Sequence, residues 1–263
     1  MVFQHQRPLG RAISQVLIIV ALALLVAPLA MIVRSSLEGQ GPENYVVVLT
    51  TTPFLRFLVN SIVVSVVTVA LVLVCSISSA YAVATLRPAG SRVAMVVILA
   101  GMSLPGIALV VPLFYVIQAL GVLNTYWAVI VPLTAISIPF GALVATNYIR
   151  ALPVELYEAA RIDGASNWAF FVRILIPVAR PILAVITIFT FLAAWNEYTL
   201  PLVFIQDTDL QVLTQVPTYF QSQRLVDTPK IFAASVLISL PIVLAYVLMQ
   251  RLFRQGMSAG AVK

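Results

Sequence analysis

Charged residues are scarce in this chain of 263 residues. Asp, Glu, Lys and Arg together make up 9% of it, whereas hydrophobic residues make up 62%, and the mean hydropathy is +1.07. Soluble domains carry about a quarter of charged residues and a nearly even apolar share. So few polar residues cannot cover the exterior of a water-soluble domain. The composition therefore predicts a membrane protein, with lipid as the solvent of the apolar surface.

Reactive groups and phosphate-binding motifs are equally rare. Cys75 is the only cysteine and lies in a long apolar run, which excludes an internal disulfide. His5 is the only histidine, so His-based triads and multi-histidine metal sites are excluded. The chain has no GxxxxGK loop and does not hydrolyse ATP by that chemistry. We therefore expect a protein that is not an enzyme and that binds no cofactor or metal itself.

Apolar stretches long enough to cross a membrane recur along the chain. Each holds about 20 residues or more, as a transmembrane helix requires. The first exceeds the apolar core of a signal peptide and has no convincing cleavage site after it, so it is interpreted as a retained anchor. The sequence predicts an all-α polytopic membrane protein that forms one domain over residues 1–263. The six predicted spans are 13–33, 58–86, 93–119, 125–148, 181–205 and 231–252.

The basic residues are divided unevenly between the two sides of these spans. Eleven fall on the side of the termini and four on the other, and an excess of Lys and Arg marks cytoplasmic loops. The first set is Arg7, Arg11, Arg87, Arg92, Arg150, Arg161, Arg173, Arg180, Arg251, Arg254 and Lys263, and the second is Arg34, Arg56, Arg224 and Lys230. Both termini and the 150–180 loop are therefore predicted to be cytoplasmic. The scattered charges form no basic patch interleaved with aromatics, so no nucleic-acid partner is expected.

Prolines lie inside or beside several predicted spans. Each removes a backbone donor and crowds the preceding turn. A single proline indicates a packing kink, whereas the group is typical of helices that line or gate a path, because the freed carbonyls need protein or water partners. The prolines are Pro105, Pro112, Pro132, Pro139, Pro201 and Pro241.

The 150–180 loop has the local signals of two short helices joined by a corner. Pro153 suits a first helical turn, and Gly164 suits a left-handed residue that ends this helix. Ser166 is placed to cap the second helix, which Pro177 is expected to stop. Two interpretations of this corner carry equal weight at this point. It presents a surface to a protein partner, or its arginines lie on anionic lipid headgroups.

The corner also carries a motif at fixed spacing. It resembles the EAA motif of permease subunits of bacterial binding-protein-dependent ABC importers. The residues that carry the resemblance are Glu158, Ala159, Ala160, Asp163, Gly164, Ala165, Phe170, Ile174 and Pro177. The segments 194–198, AWNEY, and 256–263, GMSAGAVK, further resemble carbohydrate-uptake permeases of the MalG type. The resemblance covers essentially the whole chain.

This resemblance implies a type I ABC importer permease fold in a bacterial inner membrane. The chain would pair with a MalF-type permease over two copies of a cytoplasmic ATPase that uses ATP and Mg, and a solute-binding protein would deliver the cargo. Glu158 would meet a basic residue of the ATPase, and Asp163 and Gly164 would fix the corner. The tail, with Gly256, Gly260 and Lys263, would reach between the ATPase subunits, and its composition suits an extended segment. The alternative for Asp163 is a polar turn residue that contacts no partner. The alternative for the tail is a frayed terminus.

Polar residues inside the predicted spans are candidates for a translocation path, because hydrocarbon leaves them unsatisfied. The candidates are Asn60, Ser65, Asn196 and Glu197. Glu197 is the only acid inside a predicted span, although a structural contact near the outer interface is the alternative. Serines and threonines more often pack helices together. The absence of a cationic cluster favours a neutral sugar as cargo.

Other functions are compatible with the same composition. A gradient-driven secondary transporter or a channel would transport without an ATPase. An exporter, or a permease for glycerol phosphate or a peptide, would differ in direction or cargo. The EAA-like corner favours an importer, whereas the sugar rests on the family-like segments alone.

Overall fold

The computed structural model describes residues 8–222 and 226–260, which are nearly all helical. The helices are α1 Pro8–Ser36, α2 Glu43–Thr51, α3 Phe54–Tyr81, α4 Ser91–Gly101, α5 Gly106–Ala119, α6 Trp127–Arg150, α7 Glu155–Ile162, α8 Asn167–Phe170, α9 Ile176–Val178, α10 Arg180–Trp195, α11 Thr199–Phe204 and α12 Thr228–Gly260. Two π-helical turns, Ala82–Leu86 and Phe171–Leu175, extend α3 and α8. In these ranges there is no strand, only a bridge between Gln221 and Val226. The all-α prediction is confirmed.

Four helices are long and apolar enough to cross a membrane by themselves. They are Ser14–Ser36, Phe54–Leu86, Trp127–Arg150 and Thr228–Ala245, and they match the first, second, fourth and sixth predicted spans. Two further candidates are bent pairs, Ser91–Gly101 with Gly106–Ala119 and Asn167–Val178 with Arg180–Trp195. Counting each pair as one span gives six within the described residues.

The third predicted span is broken rather than continuous. Helices α4 and α5 meet at an angle of 105°. Pro105 precedes α5 in an extended conformation, with φ −67° and ψ 126°, and a proline disfavours helix in the residue before it. The interruption expected at Pro105 is confirmed, whereas a single helix over 93–119 is wrong. By contrast, Pro112, Pro132, Pro139 and Pro241 lie inside helices without ending them.

The fifth predicted span, 181–205, is also divided. Helix α10 ends at Trp195, and α11 begins at Thr199 after a break. Pro201 explains the break, because it has no N–H for the carbonyl of Glu197 four residues earlier, and its ring would crowd that carbonyl. The interruption expected at Pro201 is confirmed, and the predicted span is not one continuous helix.

The chain divides into two units, one of Met1–Phe54 with Val216–Ser239 and one of Leu55–Gln215 with Leu240–Lys263. In the first unit, a hydrogen bond of 2.9 Å from the Asn44 amide to the Ser36 carbonyl ties α2 to the end of α1. Nearly all the large apolar side chains of α1 between Val16 and Val33 are exposed, as those of a lipid-facing helix are. The interpretation of residues 1–263 as one transmembrane domain stays a prediction.

Within the second unit, α3 and α6 pack closely at a glycine. A Cβ atom on Gly141 would lie 2.3 Å from Ser76 Oγ and 2.9 Å from Ser76 Cβ, so no larger residue fits without movement of the helices. Small residues at such contacts let transmembrane helices approach each other. Around this contact and beneath the corner lies one core of buried residues: Val72, Ile77, Ala80, Tyr81, Ala84, Ala145, Ile149, Ala160, Phe170, Phe171, Leu175, Ala179 and Ile186.

Candidate functional site

The corner predicted at Gly164 forms a complete helix-ending motif. Gly164 has φ +77°, a left-handed conformation that other residues adopt at a cost. Its N–H donates to the Arg161 carbonyl at 3.1 Å, and the Ala165 N–H donates to the Ala160 carbonyl at 2.9 Å. These two bonds are the pair that defines a Schellman motif. The chain direction after α7 is therefore fixed by backbone geometry, as the sequence predicts.

The second arm of the corner begins where the sequence indicates. Ser166 has extended backbone angles, and its side chain accepts a hydrogen bond of 3.2 Å from the Ala169 N–H. This is the bonding of an N-cap residue. Next to it, the Tyr157 hydroxyl donates to Asn167 Oδ1 at 2.9 Å and joins the two arms directly. The predicted two-helix corner is confirmed.

The helix does not stop at Pro177, contrary to expectation. The π-helical turn Phe171–Leu175 is followed by α9, and the chain turns at Ala179 instead, where α10 starts at an angle of 74°. A π-turn bonds each N–H one residue further back and so changes which carbonyl faces the proline ring. Pro181 then occupies the first turn of α10, where its missing N–H costs nothing. The stop signal acts at Pro181, not at Pro177.

Aromatic rings anchor the corner to the helix α3. The ring centroids of Tyr81 and Phe171 lie 5.1 Å apart, and those of Tyr157 and Phe170 lie 5.0 Å apart. The Tyr81 hydroxyl also donates to the backbone carbonyl of Asn167 at 3.2 Å. Such ring pairs stabilise by about 0.5–1.5 kcal/mol beyond their buried area. Packed side chains thus connect the corner to α3.

The outer face of the corner remains exposed. The Ile162 side chain is 87% exposed and Trp168 is 72% exposed, although both types are usually buried. Glu158 and Asp163 are exposed beside them. The two ion pairs within the described residues are Arg56–Asp209 and Lys230–Asp227, so Glu158 has no ionic partner there. An apolar and acidic surface held in a fixed shape is suited to a protein partner.

The motif residues fall into two groups by burial. Ala160 is 5% exposed and packs in the core, and Ala165 is half-buried, so their role in the structure is to bring the two arms together. Glu158, Ala159, Asp163, Gly164 and Pro177 are exposed and available to a partner. Ile162 and Trp168 are also exposed, although the apolar residues of an amphipathic helix usually face the core.

Glu197 lies at the break between α10 and α11. Its Oε1 accepts a hydrogen bond of 2.9 Å from the Leu200 N–H in the first turn of α11, and its carbonyl accepts one of 2.8 Å from Thr214 Oγ1. The Gln215 amide donates to the neighbouring Tyr198 carbonyl at 2.9 Å. The carbonyl that Pro201 leaves unpaired is therefore satisfied by a side chain. Sequence reasoning missed Thr214 and Gln215, because nothing local links them to residues 197 and 198.

A cavity of 250 Å³ opens beside this break. Its lining combines Ser137, Glu197 and Thr199 with apolar side chains, and it contains one acid and no base. Asn196 does not line it, and its amide donates to the Leu192 carbonyl at 2.8 Å. Of the four path candidates, only Glu197 belongs to this cavity. Its full lining is Gly106, Ile107, Val110, Leu133, Ile136, Ser137, Ala193, Glu197, Thr199 and Leu200.

Asn60 and Ser65 lie elsewhere on α3. The Asn60 amide donates to the carbonyls of Asp209 and Gln211 at 2.9 and 2.8 Å, and its oxygen accepts from the Tyr126 hydroxyl at 2.8 Å. These bonds make Asn60 a brace for the 209–211 segment. Ser65 is fully buried, and its hydroxyl has no hydrogen-bond partner in the part of the chain described.

The tail does not have the extended conformation expected from its composition. Helix α12 continues through Gly256 to Gly260. Lys263 lies outside the described residues. The described residues also contain no group of three or more His, Cys, Asp or Glu that could hold a metal ion.

The chain is similar to known transport proteins along most of its length. Residues 72–259 match the family described as binding-protein-dependent transport system inner membrane component. The diacetylchitobiose uptake system permease protein NgcG of Streptomyces coelicolor is 32% identical over 96% of this chain and 89% of its own. The trehalose/maltose transport system permease protein MalG of Thermococcus litoralis is 35% identical over 84% of this chain and 81% of its own.

Two solved structures share the fold at low sequence identity. A bacterial ABC transporter involved in the import of alginate gives a TM-score of 0.79 at 20% identity, over 94% of this chain and 99% of that one. The MetNI methionine ABC transporter gives 0.62 at 20% identity, over 77% and 95%. The fold is therefore that of a type I importer permease. The family match spans 188 of the 263 residues, and the helices are apolar. The chain therefore belongs to the family of binding-protein-dependent transport system inner membrane components.

Proposed function

We propose that this chain is one of two pore-forming subunits of an ATP-driven sugar importer and that its corner docks on a separate ATPase. The observation that carries the proposal is the rigid corner with an exposed outer face. The Schellman bonds and the aromatic anchors fix its shape, while Ile162 remains 87% exposed. Fully burying such a side chain in a partner yields roughly 1.5–3 kcal/mol.

The charges of α7 favour a protein partner over lipid headgroups, whereas the exposed Arg173 and Arg180 lie on the second arm of the corner. Glu155, Glu158 and Asp163 lie on or beside α7, against Arg161 in its last turn. Arg161 is itself engaged, since its guanidinium donates to the Ala165 carbonyl at 3.0 Å. An acidic surface is repelled by anionic headgroups, whereas it is complementary to a basic cleft. Glu158 is therefore proposed to pair with a basic residue of the ATPase.

The coupling would work through displacement of the corner as one piece. Closure of two ATPase subunits around ATP and Mg would move the docked corner, and the packed rings would pass that motion to α3. This chain binds no nucleotide in the proposal and contributes no catalytic residue. A second permease, two copies of the ATPase and a solute-binding protein complete the machine, with a MalF-type permease as the specific partner. Both termini and the corner lie on the cytoplasmic side of the inner membrane in this arrangement.

A sugar is the cargo that the relatives and the cavity favour together. The names of the relatives refer to diacetylchitobiose and to trehalose and maltose. The cavity beside Glu197 offers hydroxyl and carboxylate groups on apolar walls and no base. Such a lining suits a neutral polyol and opposes the phosphate of glycerol phosphate. The cavity volume of 250 Å³ is smaller than the roughly 300–1,000 Å³ of pockets for drug-sized ligands. This is expected if the chain supplies one half of the translocation path and a second permease supplies the other.

The decisive experiment measures ATP turnover by the assembled complex. The chain is purified together with the subunits encoded next to it, and the complex is placed in nanodiscs. Single solutes are then added together with the solute-binding protein. Stimulation by a sugar is the expected result. Stimulation by peptides or amino acids but not sugars would overturn the cargo assignment. Uptake by the isolated chain, driven by an ion gradient, would overturn the ATP-driven function itself.

A further inference from the structure

Three arginines that the transport function does not use converge on one cavity. Arg87 follows the π-turn at the end of α3, Arg92 lies in the first turn of α4, and Arg150 ends α6. All three line a cavity of 590 Å³. We propose that this cavity binds the phosphate of an anionic phospholipid headgroup. The proposal does not depend on docking of the corner or on the cargo, although Arg150 is also the first residue of the 150–180 loop.

The electrostatics of this arginine cavity are one-sided. Its lining contains the three guanidinium groups and no carboxylate. The ion pairs between described residues involve other side chains, so none of the three arginines has an acidic partner there. Three like charges gathered around one space repel each other unless an anion occupies it. Guanidinium groups present paired N–H donors that match phosphate oxygens.

The backbone holds Arg87 in an uncommon position. Its φ is +48°, in the left-handed region that residues with a Cβ rarely adopt. The Arg87 N–H donates to the Ala82 carbonyl at 2.8 Å, and its Nε donates to the Ala84 carbonyl at 3.0 Å. These two bonds orient the side chain, while its terminal nitrogens remain available for an anion. A pre-oriented guanidinium loses less entropy on binding.

The apolar part of the cavity distinguishes a lipid from free phosphate. Val83, Met95 and Val96 share the lining with the arginines. On α4, which carries Met95 and Val96, the side chains of Val93 and Val97 are 67% and 66% exposed, as expected for side chains that face acyl chains. Free phosphate would make no favourable contact with these apolar side chains. A phospholipid satisfies both parts, with its phosphate among the arginines and its chains along α4.

The arginines also lie at the ends of apolar helices, where lipid headgroups are expected. Each is placed where an apolar helix of the membrane domain ends or begins. Polybasic residues next to transmembrane helices attract anionic lipids by about 1 kcal/mol for each charge, which is roughly fivefold in affinity. Removal of one arginine should therefore weaken binding by about fivefold.

The test counts lipids that stay bound to the full chain. The chain is released from nanodiscs that contain phosphatidylcholine and phosphatidylglycerol, and native mass spectrometry measures the retained lipids. Arg92→Gln is expected to lower phosphatidylglycerol retention about fivefold, and Arg87→Gln with Arg92→Gln further. The matched control is Arg180→Gln, an exposed arginine on the same predicted side that does not line the cavity.

Each outcome decides the proposal. A selective loss in Arg92→Gln, with retention unchanged in Arg180→Gln, supports the site. Equal retention by wild type and Arg92→Gln, or equal loss in both variants, overturns it. If millimolar inorganic phosphate binds alone and displaces the lipid, the ligand is free phosphate and the lipid assignment is wrong. If the double variant does not insert, Arg92→Gln alone still gives the answer.

Discussion

The geometry of the corner yields a prediction for the variant Gly164→Ala. A Cβ on Gly164 would meet no atom within 4 Å, so the substitution creates no clash. The cost is confined to the backbone, where φ of +77° disfavours a residue with a Cβ by roughly 1–2 kcal/mol. That strain shifts the equilibrium between the observed corner and other conformations by about five- to thirtyfold. The observed angle between α7 and α8 is then less strongly favoured than in the wild type.

A second glycine in the chain supplies the control for this variant. Gly121 has φ +68° and likewise no atom within 4 Å of a Cβ, and it lies between α5 and α6. Gly121→Ala therefore introduces the same strain at a place without the corner motif. We expect Gly164→Ala to lower the sugar taken up for each ATP hydrolysed, and Gly121→Ala to leave this ratio unchanged.

The assay measures uptake and ATP turnover in the same proteoliposomes, with the amount of inserted chain determined for each variant. A fall in the ratio for Gly164→Ala alone supports a corner whose angle transmits force. A similar fall in both variants would show that general destabilisation explains the effect. No fall in either would show that the left-handed turn at residue 164 is not needed for coupling.

Three further predictions concern other parts of the site. Ile162→Ser removes an exposed side chain, so we expect unchanged insertion but weaker copurification of the ATPase, and unchanged copurification would contradict the docking surface. Asn60→Leu breaks three hydrogen bonds and should lower stability by about 2–4 kcal/mol in a thermal assay. Ser65→Ala, which removes an unpaired hydroxyl, should lower it far less. Glu197→Leu should slow uptake roughly tenfold or more. Glu197→Gln keeps an oxygen that can accept the hydrogen bond and should keep most of the uptake rate. An equal loss of rate in both variants would show that the charge is needed.

The corner shows what local sequence can predict. Left-handed backbone at Gly164 and capping by Ser166 depend on residues within five positions of each other, so their signals are present in one short segment. The apolar length of the spans is likewise a local property, and four of the predicted helices are observed. Polarity alone could not show which motif residues face a partner, since Ala159 is exposed and Ala160 is buried.

The sequence could not predict which of the prolines would break a helix. Pro105 and Pro201 lie at breaks, whereas Pro132 and Pro139 lie inside α6, although all four have the same intrinsic preference. At Pro201 the freed carbonyl of Glu197 accepts from the distant Thr214 side chain, whereas at Pro105 the freed carbonyl of Gly101 accepts from the Leu104 N–H. The brace at Asn60 joins residues about 150 positions apart, and no local pattern reports such a pair.

The break after α10 has a mechanical consequence. The carbonyl of Glu197 accepts a hydrogen bond from the side chain of Thr214, and that of Tyr198 accepts one from the side chain of Gln215 as well as one from the Leu202 N–H in α11. Exchange of those two partners for water or a cargo hydroxyl costs on the order of 1–3 kcal/mol, less than unwinding a helical turn. The break is thus a hinge that is held by residues 214 and 215, in the segment that follows α11. A shift of residues 214 and 215 would release the Glu197 carbonyl without breaking a hydrogen bond inside α10.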